Sequence, residues 1–278
     1  MQRDIVKRAF LVAAAMLALG APLSRARAQE DPTALAKKTQ NPVGDLISLP
    51  FQFNFNTGGG FGDATFYNLN FQPVVPIKLS PKWNVIARTI VPFVSLPGAT
   101  PADRVRGIGD IQEQLFLSPA QPGGLIWGLG AAFSFPTATN DAVRTGTWAA
   151  GPNVVLLTMT GPWVLGALAN QLWTYHDEGG APEVNQFLVQ PFINYNFGVG
   201  WALSTAPIIT ANWDAPDGEQ WTVPVGLGLT RTTQFQGRPM SIGVQYYHNV
   251  EHPSGAAANQ LRVALSLLFP SGPKPARR

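Results

Sequence analysis

Residues 46–56 read LISLPFQFNFN. Ile47, Leu49, Phe51, Phe53 and Phe55 share one parity, and Ser48, Gln52 and Asn54 share the other. Successive side chains of a strand point to opposite faces, so this segment has one greasy face and one face rich in amides. A strand of a soluble sandwich could carry the same pattern, and its repetition is what decides. Eleven further segments follow, at 66–77, 83–94, 108–118, 125–135, 148–158, 163–175, 184–195, 201–213, 220–230, 240–249 and 259–269. Most run ten to thirteen residues. Globular strands are typically about five or six residues long, whereas a tilted strand crossing a bilayer takes ~9–11.

The connections alternate in kind. Those at 79–82, 119–124, 159–162, 196–200 and 232–239 are compact, and those at 57–65, 95–107, 136–147, 176–183, 214–219 and 250–258 are generally longer and polar. Short turns on one side and long loops on the other describe an outer-membrane barrel with its short turns in the periplasm. The sequence therefore predicts an all-β fold, a transmembrane antiparallel up-and-down β-barrel of about twelve strands with both chain ends periplasmic. A propeller blade would pack four short strands into each interval that here holds two long ones.

The tryptophans supply an independent test. Trp83, Trp127, Trp163 and Trp201 each follow a short turn, and Trp148, Trp173, Trp213 and Trp221 each adjoin a long loop. An indole is apolar with an N–H that needs a partner, so the eight read as two aromatic rings at the membrane interfaces.

Composition agrees. Charged residues make up 13% of the chain, about half the ~25% of a soluble domain. No run approaches the ~20 apolar residues of a transmembrane helix. Aromatic and β-branched residues are too plentiful for disorder. With no cysteine, structural disulfides, thiol catalysis and thiolate metal sites are excluded. Arg3, Lys7 and Arg8 precede an apolar run over 9–21, and Ala26-Arg27-Ala28 has the small-x-small form of a signal-peptidase site. Residues 1–28 are thus read as a signal peptide cleaved near Ala28/Gln29, 29–45 as a periplasmic N-terminal segment, with a plug entering the lumen as the alternative, 46–269 as the barrel and 270–278 as a polar tail. Cleavage removes five basic residues and one acid, taking the net charge from +3 to −1. The basic isoelectric point thus belongs to the precursor, and no nucleic-acid partner is implied. The expected location is the cell outer membrane, with lipid, lipopolysaccharide and the barrel-assembly machinery as partners.

Assigning the apolar parity to lipid leaves a lumen set of Gln52, Asn54, Asn68, Asn70, Gln72, Arg88, Asp110, Gln112, Gln114, Gln186, Gln190, Asn194, Gln245 and Arg262. Amides dominate, offering donors and acceptors without a strong field. That lining suits small neutral or phenolic solutes. The alternative is a closed structural or adhesion-type barrel whose lumen is filled by these same side chains. Arg88 and Arg262 against Asp110, behind a mouth rich in carboxylates, predict weak ion selectivity. Several features resist the pattern. Pro50, Pro73, Pro76, Pro92, Pro191, Pro207 and Pro224 fall inside strands, where bulges or bends are expected. Glu113 shares the parity of Leu115 and Leu117, for which a register shift is the expected remedy. Asn170 and Gln171 fall on opposite faces, and 154–157 has no polar face.

No cofactor or metal site is expected. Asp214, Asp217 and Glu219 lack the full spacing of a calcium loop. No catalytic site is expected either. His248 lies near the outer end of its strand, but Asn249 and Val250 follow it and Ser254 is in a loop beyond Pro253, so no nucleophile–base pairing is visible.

The stretches NPVGDLISLPFQFNFN, LNFQPVVPI, WNVIARTIVP, GIGDIQEQLFLSP, IWGLGAAFSFPTAT, GPWVLGALANQLW and VNQFLVQPFINY resemble, in that order, a bacterial outer-membrane family. Its members are labelled as transporters or as outer-membrane proteins of the meta-pathway of phenol degradation. The resemblance covers most of 41–269. It implies a barrel concerned with uptake of small, often aromatic compounds, and carries over no catalytic residue. The chain departs from it at the end, where PSGPKPARR follows Phe269 in place of a terminal Phe.

Overall fold

The computed structural model describes residues 32–59, 65–98, 103–177, 179–235 and 238–270. Residues 1–28, read from sequence as a signal peptide, residues 29–31, two acids of the long loops (Asp63 and Glu178) and residues 271–278 lie outside them. A helix, α1 (Pro32–Thr39), is followed by β1 (Leu46–Thr57), β2 (Phe66–Phe71), β3 (Val74–Lys78), β4 (Trp83–Pro97), β5 (Arg104–Ile108), β6 (Ile111–Pro119), β7 (Leu125–Phe135) and β8 (Thr147–Thr160). Then come β9 (Trp163–Asp177), β10 (Asn185–Gly198), β11 (Trp201–Thr205), β12 (Ile209–Asn212), β13 (Trp221–Phe235), β14 (Arg238–Glu251) and β15 (Asn259–Pro270). β2 with β3, β5 with β6, and β11 with β12 each form one interrupted stave, giving twelve staves in all. Each stave pairs antiparallel with the next, and β15 returns to pair with β1 from Leu46↔Pro270 to Thr57↔Asn259. The sheet is therefore a closed twelve-stranded antiparallel barrel, without the free edge that would leave backbone groups unpaired.

The wall sorts its side chains as the alternation requires. Phe53, Phe93, Leu115, Leu129, Ile193 and Leu227 are exposed on the outside. Aromatic pairs such as Phe51–Phe71, with centroids 4.9 Å apart, and Phe55–Tyr67 at 5.7 Å tie neighbouring staves on that face. The tryptophans stand at stave ends. Trp83 packs edge-on to Trp127 at the short-turn end, and Trp213 packs edge-on to Trp221 at the long-loop end.

Several expectations need correction. The long connection at 95–107 is shorter, because Arg104–Ile108 pairs with the end of β4. The turn at 232–239 is tighter still, with β13 running to Phe235 and β14 starting at Arg238. Of the strand prolines, Pro73 and Pro207 sit in stave breaks and Pro224 at a register shift. Pro92 faces the Gly109–Asp110 break, where its carbonyl accepts from Gly109 N–H at 2.8 Å. Pro50 and Pro191 keep continuous register with β15 and β9 on one side and face the stave breaks at 72–73 and 206–208 on the other, while Pro76 stays in continuous register with β4. Glu113 undergoes no shift: its register against Thr89 and Phe133 is continuous. It remains on the outer wall, and Thr89 Oγ1 donates to its carboxylate at 2.6 Å, which offsets part of the cost of an acid on an apolar face.

Of the two placements open to the N-terminal segment, the structure has the one against the barrel: residues 32–45 lie in the short-turn mouth. An eight-residue helix is too short to persist alone, and α1 is held by packing. Leu35 and Ala36 are buried, and α1 touches β1, β10, β13 and β14. Gln40 and Asn196 exchange amide hydrogen bonds at 3.0 and 3.1 Å, and Lys37 Nζ donates to the Gly161 carbonyl. Val43 then enters the interior beside Val74, Ile86 and Phe116.

Candidate functional site: the barrel lumen

The lumen has two unlike walls. On one, amides and arginines from five strands form a continuous ladder. Arg88 on β4 donates to Gln114 Oε1 at 3.1 Å and to Gln72 Oε1 at 2.6 Å. Gln72 donates to Gln52 at 2.9 Å, and Gln52 to Asn54 at 3.3 Å. Asn54 Oδ1 also accepts from Arg262 Nε at 3.2 Å, and Arg262 Nη2 donates to Gln260 at 2.9 Å. From Gln260 the chain continues through Asn56 and Asn68 to Asn70. The even parity of β1 and its neighbours makes this possible, since Gln52 opposes Asn70 and Ala264, and Asn54 opposes Asn68 and Arg262.

Arg262 is a crossbar. It is 4% exposed, and from β15 it reaches over two intervening staves to the Ala206 carbonyl at 2.8 Å. Ala206 lies in the break between β11 and β12. Its N–H donates to Tyr247 Oη at 2.9 Å, and the Arg262 guanidinium lies 4.8 Å from the Tyr247 ring centroid. Gln190 Nε2 also donates to the Ala206 carbonyl, at 3.4 Å. The Pro207 break thus turns backbone polar groups to where interior side chains satisfy them.

The other wall is apolar. Val155, Leu157, Val164 and Leu168 on β8 and β9 pack with Val74, Ile86 and Phe116, and Leu188 and Phe192 on β10 adjoin them partly exposed. Gly166 permits this, because a Cβ there would lie 2.5 Å from the Phe192 ring. The stretch at 154–157 has no polar face because both of its faces meet apolar surroundings: Val155 and Leu157 point inward and Leu156, 45% exposed, points out. Asn170 is inward and pairs in register with Asn153. Gln171 faces out, bonded to Asn185 and to Trp213 Nε1.

Of the residues assigned to the lumen from sequence, Gln52, Asn54, Asn68, Asn70, Gln72, Arg88, Gln114 and Arg262 are brought together in the ladder. Gln112, Gln186, Asn194 and Gln245 share the inward register without joining it. Asp110 stands apart. Its carboxylate accepts from Ala138 N–H at 3.0 Å, and from Thr145 N–H at 2.8 Å and Thr145 Oγ1 at 2.6 Å. It anchors the loop after β7 rather than balancing an arginine. Neither Arg88 nor Arg262 has a carboxylate partner among the described residues. Sequence reasoning missed Asn56, Gln260, Asn196 and Tyr247. The first three share the inward parity of neighbours it did select; Tyr247 hid because a Tyr suits a lipid-facing position equally well.

At the long-loop end, Ser254 clasps Glu219, its Oγ donating at 2.6 Å and its N–H donating to the other carboxylate oxygen. These bonds, with His252 nearby, hold the Glu219 carboxyl below its ordinary value. No group of three metal-ligating side chains forms among the described residues. His248 is exposed on the outer wall and bonds Asn259, which Tyr246 also engages; the loop hydroxyl of Ser254 is committed to Glu219.

A family profile described as "Putative MetA-pathway of phenol degradation" matches residues 36–265. Among solved structures, an outer membrane channel from Pseudomonas putida F1 is similar at a TM-score of 0.61 and 14% identity, over 88% of this chain and 100% of that one. The NanC porin is similar at a TM-score of 0.52 and 10% identity, over 80% of this chain and 98% of that one. At such identities the likeness is one of fold. No curated protein matches the chain.

Proposed function

Because the chain belongs to the family described by the MetA pathway of phenol degradation, we propose that it is an outer-membrane channel for small neutral or aromatic molecules, and not an enzyme. The supporting observation is the ladder from Gln114 to Asn70, a hydrogen-bonding track along the inside of a closed barrel. Such a track can exchange partners with a passing hydroxyl or carbonyl at little net cost, since each bond made replaces one released. The short turns and both chain ends are assigned to the periplasm and the long loops to the cell surface. The greasy outer wall meets lipid and lipopolysaccharide, with the tryptophan rings at its two interfaces. Insertion of this wall requires the barrel-assembly machinery, after removal of the signal peptide near Ala28/Gln29.

A second reading, a closed structural or adhesion-type barrel, draws on the apolar packing and on α1 in the short-turn mouth. Planar-bilayer recording separates the two. Purified folded protein should give discrete conductance steps, and catechol should reduce the current by occupying the track. Folded protein that gives no steps would favour the closed barrel.

A further inference from the structure

Resting on the channel reading, we infer that Arg88, oriented by Gln114 and Gln72, forms a lumen subsite for the carboxylate of a small aromatic or other amphiphilic monocarboxylate. Arg88 is inside the barrel and keeps part of its surface open. Its two hydrogen bonds, 3.1 Å to Gln114 and 2.6 Å to Gln72, are to neutral amide oxygens. Of the five N–H donors of a guanidinium, three remain, and no carboxylate meets them among the described residues. A charge inside a membrane-spanning wall must be wet or paired, and amide oxygens alone compensate it incompletely. With Asp110 committed to its loop, Arg88 is left to water or to an anion that enters from solution.

Geometry selects the kind of anion. A guanidinium fork binds a carboxylate through two parallel N–H donors. Gln114, buried at 2% exposure, points its carbonyl oxygen at Arg88 and so holds one side of the guanidinium in place. Arg88 borders the apolar packing: Ile86 is the next inward residue on β4, and Phe116 follows Gln114 on β6. On the far side of the barrel, β10 presents Leu188 and Phe192 partly exposed. A carboxylate on Arg88 thus leaves an attached ring beside an apolar surface, where burying it is favourable. A small hydrophilic anion would gain the first contact without the second. Arg262 is not equivalent, because its crossbar bonds leave it buried.

The test is isothermal titration of the folded, full-length mature protein in detergent with benzoate, with benzamide as its uncharged counterpart and acetate as the carboxylate without a ring. Benzoate should bind more tightly than either. Arg88→Gln should weaken benzoate roughly tenfold or more, as expected for loss of hydrogen bonds to a charged group. Arg88→Lys should fall between, keeping charge without the fork. Benzamide binding as tightly as benzoate, or full benzoate affinity in Arg88→Gln, would overturn the subsite. Should Arg88→Gln not fold, the ligand comparison on the unaltered protein and on Arg88→Lys decides. Binding needs no conduction, so the two readings fail separately. Arg88-dependent binding by a barrel without current would sink the channel alone, and conduction without benzoate preference would sink the subsite alone.

Discussion

Leu35→Asp should unseat the N-terminal segment and raise single-channel conductance several-fold. Leu35 is 3% exposed in the short-turn mouth, and burying such a side chain contributes about 1.5–3 kcal/mol. An aspartate there forfeits that gain and adds the cost of a buried, unpaired charge. An eight-residue helix has little intrinsic stability to resist the loss. The remaining ties include the buried Ala36 and Val43, the Gln40–Asn196 amide exchange and the Lys37 bond to Gly161, and a charge at Leu35 acts against all of them. Release should also expose the peptide bonds after Lys37 and Lys38, so trypsin should cut the folded variant much faster than the unaltered protein. Unchanged conductance together with unchanged cleavage would mean that the segment does not restrict the mouth.

Phe53→Arg should destabilise the inserted barrel by roughly 2–4 kcal/mol if that position is near the bilayer midplane. Phe53 is 40% exposed on the outer wall and lies between Leu69 and Val263 in register. Its neighbour Gln52 has the opposite parity and bonds Asn54 and Gln72 inside the barrel. Gln52→Arg therefore places its charge among amide acceptors and water, and should cost much less. Denaturant unfolding from lipid vesicles measures both. Equal losses at the two positions would refute the register of β1.

The barrel was legible in the sequence because its signal is periodic. Two-residue alternation in 46–56, repeated along the chain, specifies strand, face and neighbour together. Polar ladder positions were legible for the same reason, since Gln52, Asn54, Asn68, Asn70 and Gln72 interrupt greasy stretches at even spacing. Apolar inward residues were not. Val155, Leu157, Val164 and Leu168 pack inside, yet hydropathy cannot separate a side chain bound for a packed interior from one bound for lipid. The position of residues 32–45 was hidden differently. A helix of eight residues with Leu35 and Ala36 carries little pattern of its own, and only the mouth around it gives those residues somewhere to be buried. Asp110 has the parity of Gln112 and Gln114, but the Gly109–Asp110 break hands its carboxylate to a loop. Parity reports direction only while the ladder is unbroken.

That last difference changes the expected electrostatics. With Asp110 withdrawn from the balance, the lumen contributes two arginines and no compensating acid among the described residues, so weak selectivity gives way to a preference for anions. The reversal potential of single channels across a KCl gradient tests this most directly. The account predicts anion selectivity that persists as salt is raised, because exposed mouth carboxylates are screened over ~8–10 Å at physiological ionic strength while confined charges are screened less. It also predicts a shift toward cations in Arg88→Glu at every concentration. Cation selectivity in the unaltered protein, or a reversal potential indifferent to Arg88→Glu, would contradict a solute path that runs along the arginine ladder.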